Sequence, residues 1–498
     1  MGIRKSGRVL VLLAAFAVFV AIAWGQENGA KSSNMELVGS NDLQGRGAYM
    51  PVILKQGDRW IAYIGHRPTQ GPMLNPLNGQ TEENGTAVVD VTDPQHPKYL
   101  AHIPGELDKG VNGGAQYVRA CSGSTLPHAD KNKSYLIRSY GRSAWELWDV
   151  SEPAKPSRMS VLVTGFINTN SGWWECDTGI AYVGGGPSEG WSHKDMGKDN
   201  HDALNHATIF DLSDPAKPVL VRTFGLPGQQ QDSSVAQPTS GLHGILSTGP
   251  KGNRVYLSNG DAANGIVEIL DREKLLNGPK ELTDDNLRYP VLGRIDLPPD
   301  TGADMSFPLV GMPLPEFEKQ RGGGAVKDFL AVIGEGHADQ YECKDARQMM
   351  HIFDITTESK PMGVSTWTVP YASGDFCNGG YFGTHSTNTN FTPIYFKRIL
   401  FVAHHNSGVR AVDIRDPYHP QEIGYYIPAA TDKTVKYCVG EGAEKHCKAA
   451  IDTYNLEVDD RGYIYIVDSP GTGLHILQLT GAARKIANFD GAAAPAGQ

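Results

Sequence analysis

The 498-residue chain sets 45 Lys and Arg against 55 Asp and Glu, for a formal net charge of −10, and shows no basic stripe, which excludes nucleic acid as an expected partner. Its hydrophobic content of 40%, with 58 Gly and 31 Pro, excludes a disordered polar chain and points to a turn-rich all-β protein.

The N-terminus carries Arg4, Lys5 and Arg8, then an apolar stretch from Val9 to Trp24 with small residues at Ala23 and Gly25. This is the pattern of a secretory signal peptide over residues 1–25, too short for a comfortable membrane span, with an uncleaved anchor as the alternative. No later stretch is long enough to span a bilayer. The expectation is a secreted or periplasmic mature chain with a net charge of about −13.

One phrase then recurs: VVDVTDPQHP (88–97), LWDVSEPAKP (147–156), IFDLSDPAKP (209–218), IFDITTESKP (352–361) and AVDIRDPYHP (411–420), with weaker copies at 268–276 and 475–481. The Asp residues closing each apolar run, Asp90, Asp149, Asp211, Asp271, Asp354 and Asp413, recur at roughly 60 residues with one longer interval. Asp bonding its own backbone, followed by Pro, marks a turn between two strands. Short alternating runs before and after each phrase complete four strands per unit, among them AYMPVIL, RWIAYIG, TAVVDV and KYLAHI in the first.

Seven such units predict an all-β, seven-bladed β-propeller of four-stranded antiparallel blades, with six or eight blades as the alternative because the first strand of unit five, within 303–326, is obscure. The expected domain runs from 34 to 489, with 490–498 a loose tail. MELVGS (35–40) is the expected strand closing the last blade, and ARKIANF (483–489) is the competitor. In the third unit WWECD is the expected inner strand. Six cysteines in an exported chain predict three disulfides between sequence neighbours: Cys121 with Cys176, Cys343 with Cys377, Cys438 with Cys447.

The phrase, apolar-apolar-Asp-Val-Ser/Thr-Asp-Pro-x-x-Pro, resembles the LVIVD repeat, specifically at 88–97, 147–156, 209–218 and 411–420. The resemblance implies a secreted or surface propeller and no single activity. Unit four departs from it at Arg272 and Glu273, and unit seven lacks the Asp and both prolines. In layout the chain is also similar to the selenium-binding/methanethiol oxidase propellers, which gather His at a channel, although no motif string matches.

Function therefore rests on residues outside the phrase. His66, His337, His404 and His405 stand at or just past second strands, and His243 and His385 at the starts of inner strands, so six histidines map to one face of the ring. Converging imidazoles suit copper, iron or zinc, and a metal with an open position polarises a substrate or activates water. A His acting as general base without metal is the alternative chemistry. The expected ligands are His66, His243, His337, His385 and His404, with His243 and His385 as the paired catalytic residues acting on a small molecule in the central channel by oxidation or metal-assisted hydrolysis. A non-catalytic binding propeller is the competing function. The loop at 184–206, with His193, Asp195, Asp199, His201, Asp202 and His206, reads first as a polar surface loop and second as a lid or a further metal site. Trp173, Trp174, Glu175, Tyr454, Asn455 and Glu457 fall in inner strands and Arg46 precedes one; the channel-facing members could bind a ligand, and core packing between blades is the expected role of the Trp pair.

Overall fold

A computed structural model describes residues 29–67, 71–107, 109, 112–192, 201–317, 324–336, 343–371, 375–469 and 471–492. The expected signal peptide at 1–25, His337, and His193, Asp195 and Asp199 lie outside them. Seven four-stranded antiparallel sheets follow one another around a ring, making a seven-bladed β-propeller. The inner strands of blades 1 to 5 are Ala48–Gln56, Val118–Ser122, Asn168–Trp174, Leu242–Ser247 and Met305–Pro313, and blade 7 begins with Thr453–Val458. The strand Met305–Pro313 supplies the inner edge that sequence leaves obscure. In blade 3 the inner strand starts earlier than WWECD, and the two Trp close it.

Blade 6 has no regular inner strand. Residues 385–388 still line its inner edge, through His385 N to Ala403 O at 2.9 Å, Ala403 N to Ser386 O at 2.8 Å and the Asn388 Oδ1 that accepts from Phe401 N at 3.0 Å. A side-chain amide here replaces one rung of the ladder.

The N-terminus closes the ring twice. Lys31–Ser33 pairs with Gln421–Ile427 as the outer strand of blade 6, and Met35–Asn41 pairs with Gly473–Leu479 as the outer strand of blade 7. The MELVGS strand is thus the closure, and the ARKIANF segment instead contributes to a helix, Gly481–Ile486.

The repeated phrase is an Asx turn in each copy. Asp90, Asp149, Asp211, Asp354 and Asp413 accept from the backbone N–H two residues on, at 2.9, 3.0, 2.8, 2.9 and 3.0 Å. Each turn also fastens its blade to the one before. Val91 O and Thr92 O accept from Arg461 of blade 7, Val150 O from Gln56 of blade 1, Ser213 O from His128 N of blade 2, and Pro417 O from Ser365 of blade 5. Glu358 takes Arg254 of blade 4 through two bonds of 2.6 and 2.9 Å.

Where the phrase decays, a helix does the same work. Asp271 caps Arg272–Asn277 by accepting from Lys274 N, and Leu275 O of that helix accepts from Arg222 of blade 3. The segment after Gly481–Ile486 bonds to blade 6 through Asn488 N and Ile394 O at 2.8 Å.

All three expected disulfides form: Cys121–Cys176 between neighbouring inner strands, Cys343–Cys377 on a rim, and Cys438–Cys447 across a hairpin. Three disulfides and no free cysteine among the described residues belong to an oxidising environment. No helix among the described residues is long and apolar enough to cross a membrane.

Candidate functional site

Strand pairing defines which residue of each blade reaches the axis. The last second-strand residue paired with the third strand is Gly65, Tyr140, Asn259, Ile333 and Ala403 in blades 1, 2, 4, 5 and 6. The next residue, His66, Gly141, Gly260, Gly334 or His404, turns the chain at the rim. The one after that is Arg67, Arg142, Asp261, Glu335 or His405. Arg67, Arg142, Asp261 and Glu335 line a cavity of about 320 Å³ at the mouth of the channel. Its wall continues with Tyr49, Tyr117 and His243 from inner strands, and a smaller space beneath it reaches Asp304, Arg119 and His385.

The candidate ligands split on this rule. His66 and His404, both fully buried, lie at the turning position. His404 Nε2 meets Thr368 Oγ1 at 3.0 Å and Val369 N at 3.3 Å, and its Nδ1 meets Ser407 Oγ at 2.8 Å, so both ring nitrogens are occupied. His66 Nδ1 bonds to Gly47 O at 2.9 Å and its ring packs 5.7 Å from His102. Burial, then His102 and Arg46 for one and Arg410 and His405 for the other, hold both imidazoles well below their ordinary pKa. Neither is brought to the cluster at the axis.

His243 and His385 are brought there. His243 Nδ1 lies 2.5 Å from Asp304 Oδ1, and its Nε2 lies 3.9 Å from Glu335 Oε2. His385 Nε2 lies 3.5 Å from Glu335 Oε1 and 3.4 Å from Tyr49 OH. The Glu335 carboxylate therefore stands between two imidazole Nε2 atoms. His243, Asp304 and Glu335 each offer a ligand atom within 4.8 Å of the others, and all three are buried. Asp304 orients His243, the second-sphere carboxylate arrangement seen on metal-bound imidazoles.

A second dyad adjoins the first. His405 Nδ1 bonds Asp452 Oδ1 at 2.7 Å, and its ring stands 5.2 Å from His385 and 5.3 Å from Tyr454. His405 Nε2 and His385 Nδ1 are buried with no hydrogen-bond partner among the described residues. Asp468 accepts from Asp452 N, and burial, with repulsion from Asp452, pushes its carboxyl up to about 7.

The site carries an excess of negative charge. Burial lowers the His243 pKa, but Asp304, Asp261 and Glu335 outweigh it and push the imidazole up to about 10. Burial, with Glu335 and Asp261, pushes Asp304 up to about 6 against the pull of His243. His385 goes the other way, down to about 3, through burial first, with Glu335 opposing and His405, His243 and Arg67 adding to the fall. A metal cation held among these carboxylates would relieve the same repulsion.

No protein-family model and no curated protein matches this chain. Among solved structures, Sqt1 from Chaetomium thermophilum is similar with 12% identity and a TM-score of 0.47, covering 90% of this chain and 100% of that one. Nothing about chemistry follows from that likeness.

Sequence reasoning missed Asp304, Glu335, Asp261, Arg67 and Asp452, and favoured His404 over His405. The signal was present in blade alignment: IGHR (64–67), SNGD (258–261), VIGE (332–335) and VAHH (402–405) end on the axis-facing residue. Of the polar inner-strand residues, Tyr454 lines the channel, whereas Glu175 is held by Arg272 at 2.6 Å and Glu457 by Thr389 and backbone N–H groups. From the 184–206 loop, His206 stacks on Trp191 at 4.2 Å and bonds Ser188, a packing role.

Proposed function

We propose that the protein is an exported propeller of the LVIVD-repeat type whose channel holds one transition-metal ion and acts on a small molecule in the cavity above it. The observation that carries this is the Glu335 carboxylate set between His243 Nε2 and His385 Nε2, with Asp304 behind His243. A mixed imidazole and carboxylate set suits iron, zinc or copper, and the cavity leaves one side of it open to a ligand. The metal would supply Lewis-acid or redox chemistry, for metal-assisted hydrolysis or oxidation of the bound molecule. The chain's own part is to orient the ligands, exclude bulk water and supply charged groups around the substrate. Export is supported by the N-terminal pattern and the three disulfides.

The test is metal content by mass spectrometry on mature protein supplemented with copper, iron and zinc and then desalted. Wild type is expected to retain about one ion per chain and Glu335→Gln or the His243→Ala/His385→Ala double variant to lose it, whereas His404→Ala, where folded, keeps it. The ion pair of His243 with Asp304 favours a second reading, a metal-free binding propeller that presents an imidazolium to its ligand. A wild-type protein that takes up none of the three metals would leave that reading standing and remove the first.

A further inference from the structure

We infer that the molecule taken into the channel is a small hydroxylated carboxylate, its acid group received by Arg67. This rests on the channel being the functional site. Arg67 follows the second strand of blade 1 and occupies the axis-facing position. Its guanidinium lies 4.8 Å over the ring of Tyr454 and 5.9 Å over that of Tyr49, so two aromatic faces hold it in place. It borders the cavity, and among the described residues no acceptor takes any of its N–H groups and no carboxylate lies within ion-pair distance.

That contrasts with Arg46, Arg138 and Arg272. Arg46 reaches Asn84, Glu82 O and Met73 O, Arg138 reaches Glu146 and the carbonyls of Ile103 and Pro104, and Arg272 reaches Glu175. Each of those has its donors used by the fold. A guanidinium offers five donors in a planar fork that matches a carboxylate, and part-buried Arg67 presents that fork at the cavity wall with no protein acceptor among the described residues. Arg67 is therefore built for a partner that enters the cavity.

The rest of the wall narrows the class. Arg142 occupies the same position in blade 2 and is exposed at the mouth, a second cation on the entry path. Beside them stand Asn112, Gln116, Asn168 and Asn170, amides that both donate and accept and so suit hydroxyl groups rather than hydrocarbon. Asp261 and Glu335 repel an anion from their side, which confines the acid group to the Arg67 side and turns the hydroxyls toward His243 and Glu335. A cavity of about 320 Å³ lies at the small end of ligand sites, room for a compact organic acid rather than a polymer.

The test is calorimetric titration of the mature wild-type protein with D-gluconate, L-lactate and glycolate, and with D-sorbitol as the uncharged counterpart of gluconate. At least one acid is expected to bind, and sorbitol to bind at least about tenfold more weakly than gluconate. Arg67→Gln should weaken the acids by about tenfold or more, and Arg67→Lys should restore only part of that, because an ammonium lacks the fork. Sorbitol binding as tightly as gluconate, no acid binding at millimolar concentration, or unchanged acid affinity in folded Arg67→Gln would each overturn the inference. The wild-type comparison decides the matter even where a variant does not fold. Metal content measured on the same samples separates this inference from the one beneath it: acid selectivity in metal-free protein contradicts the metal alone, and loss of selectivity in metal-loaded protein contradicts the carboxylate alone.

Discussion

Glu268 shows what an enclosed carboxyl without a full set of partners costs this fold. It lies in the third strand of blade 4, one oxygen has no hydrogen-bond partner among the described residues, and Arg294 stands 3.9 Å from the other. Burial pushes its pKa from 4.5 to about 7, Arg294 pulling down and Asp296 pushing up. The neutral acid is thus favoured in the folded chain. The contribution to stability is fully present below the unfolded value and is lost as pH rises through about 7. Glu268→Gln should remove that slope and, above about pH 8, stabilise the protein by roughly 1–3 kcal/mol, read from urea denaturation at acid and alkaline pH. An unchanged slope in the variant would contradict the assignment. At the axis the same scale explains which histidines were legible. That His243 stands at the start of an inner strand and His385 at the start of the irregular inner edge of blade 6 is readable from local pattern. That His404 is held by Thr368, Val369 and Ser407 while His405, equally buried, packs beside His385 and Tyr454 depends on one residue of offset, and His405 takes a positive φ of 40° just past the strand, where alternation no longer applies. Asp304 and Glu335 draw no notice as single acidic residues, and they matter only because neighbouring blades bring them together.

Among the elements, the repeated turn carries more than local geometry. Its carbonyls and side chains bind the preceding blade, and the outer strand behind it leaves room for the contact. A Cβ at Gly39, in the outer strand of blade 7, would stand 2.2 Å from Pro94 O in the turn of blade 1, and one at Gly293 would stand 1.9 Å from Glu358 O in the turn of blade 5. Gly39→Ala is therefore expected to destabilise the protein by about 1–3 kcal/mol in chemical denaturation, whereas Gly71→Ala, with nothing within 4 Å, should stay near wild type. Equal stability of the two variants would remove the inter-blade role. The Asx turns could be read from sequence because Asp and Pro act within four residues. The helix Gly481–Ile486 could not be told from a strand, since a short segment with one buried residue, Ala483, has no periodicity to separate 3.6 from 2. The irregular inner edge of blade 6 was hidden for a related reason: polar HSTNTN is held by Ser386, Asn388 and the neighbouring Tyr454 O rather than by a hydrophobic alternation.

For the molecule as a whole, closure depends on eleven N-terminal positions, 31–41, that serve two blades. Lys31–Ser33 and Met35–Asn41 are the outer strands of blades 6 and 7, and Met35 is buried in the core they share. Starting the mature chain at residue 42 should leave two open sheet edges, lower the denaturation midpoint sharply and promote association through those edges. Starting it at residue 34 removes only the edge of blade 6 and should cost less. Comparable midpoints for both truncations and the full mature chain would contradict the double closure. Blade number and closing strand were legible because repeats fix register along the whole chain. The site was only partly legible, because residues of all seven blades contribute to it and no local motif records their convergence.

The most direct test of the channel is anomalous diffraction from crystals of the mature protein loaded in turn with zinc, iron and copper. An anomalous peak between His243 Nε2, His385 Nε2 and the Glu335 carboxylate is the expected result. A channel with no peak for any of the three metals, or a peak only at the enclosed positions of His66 and His404, would contradict it.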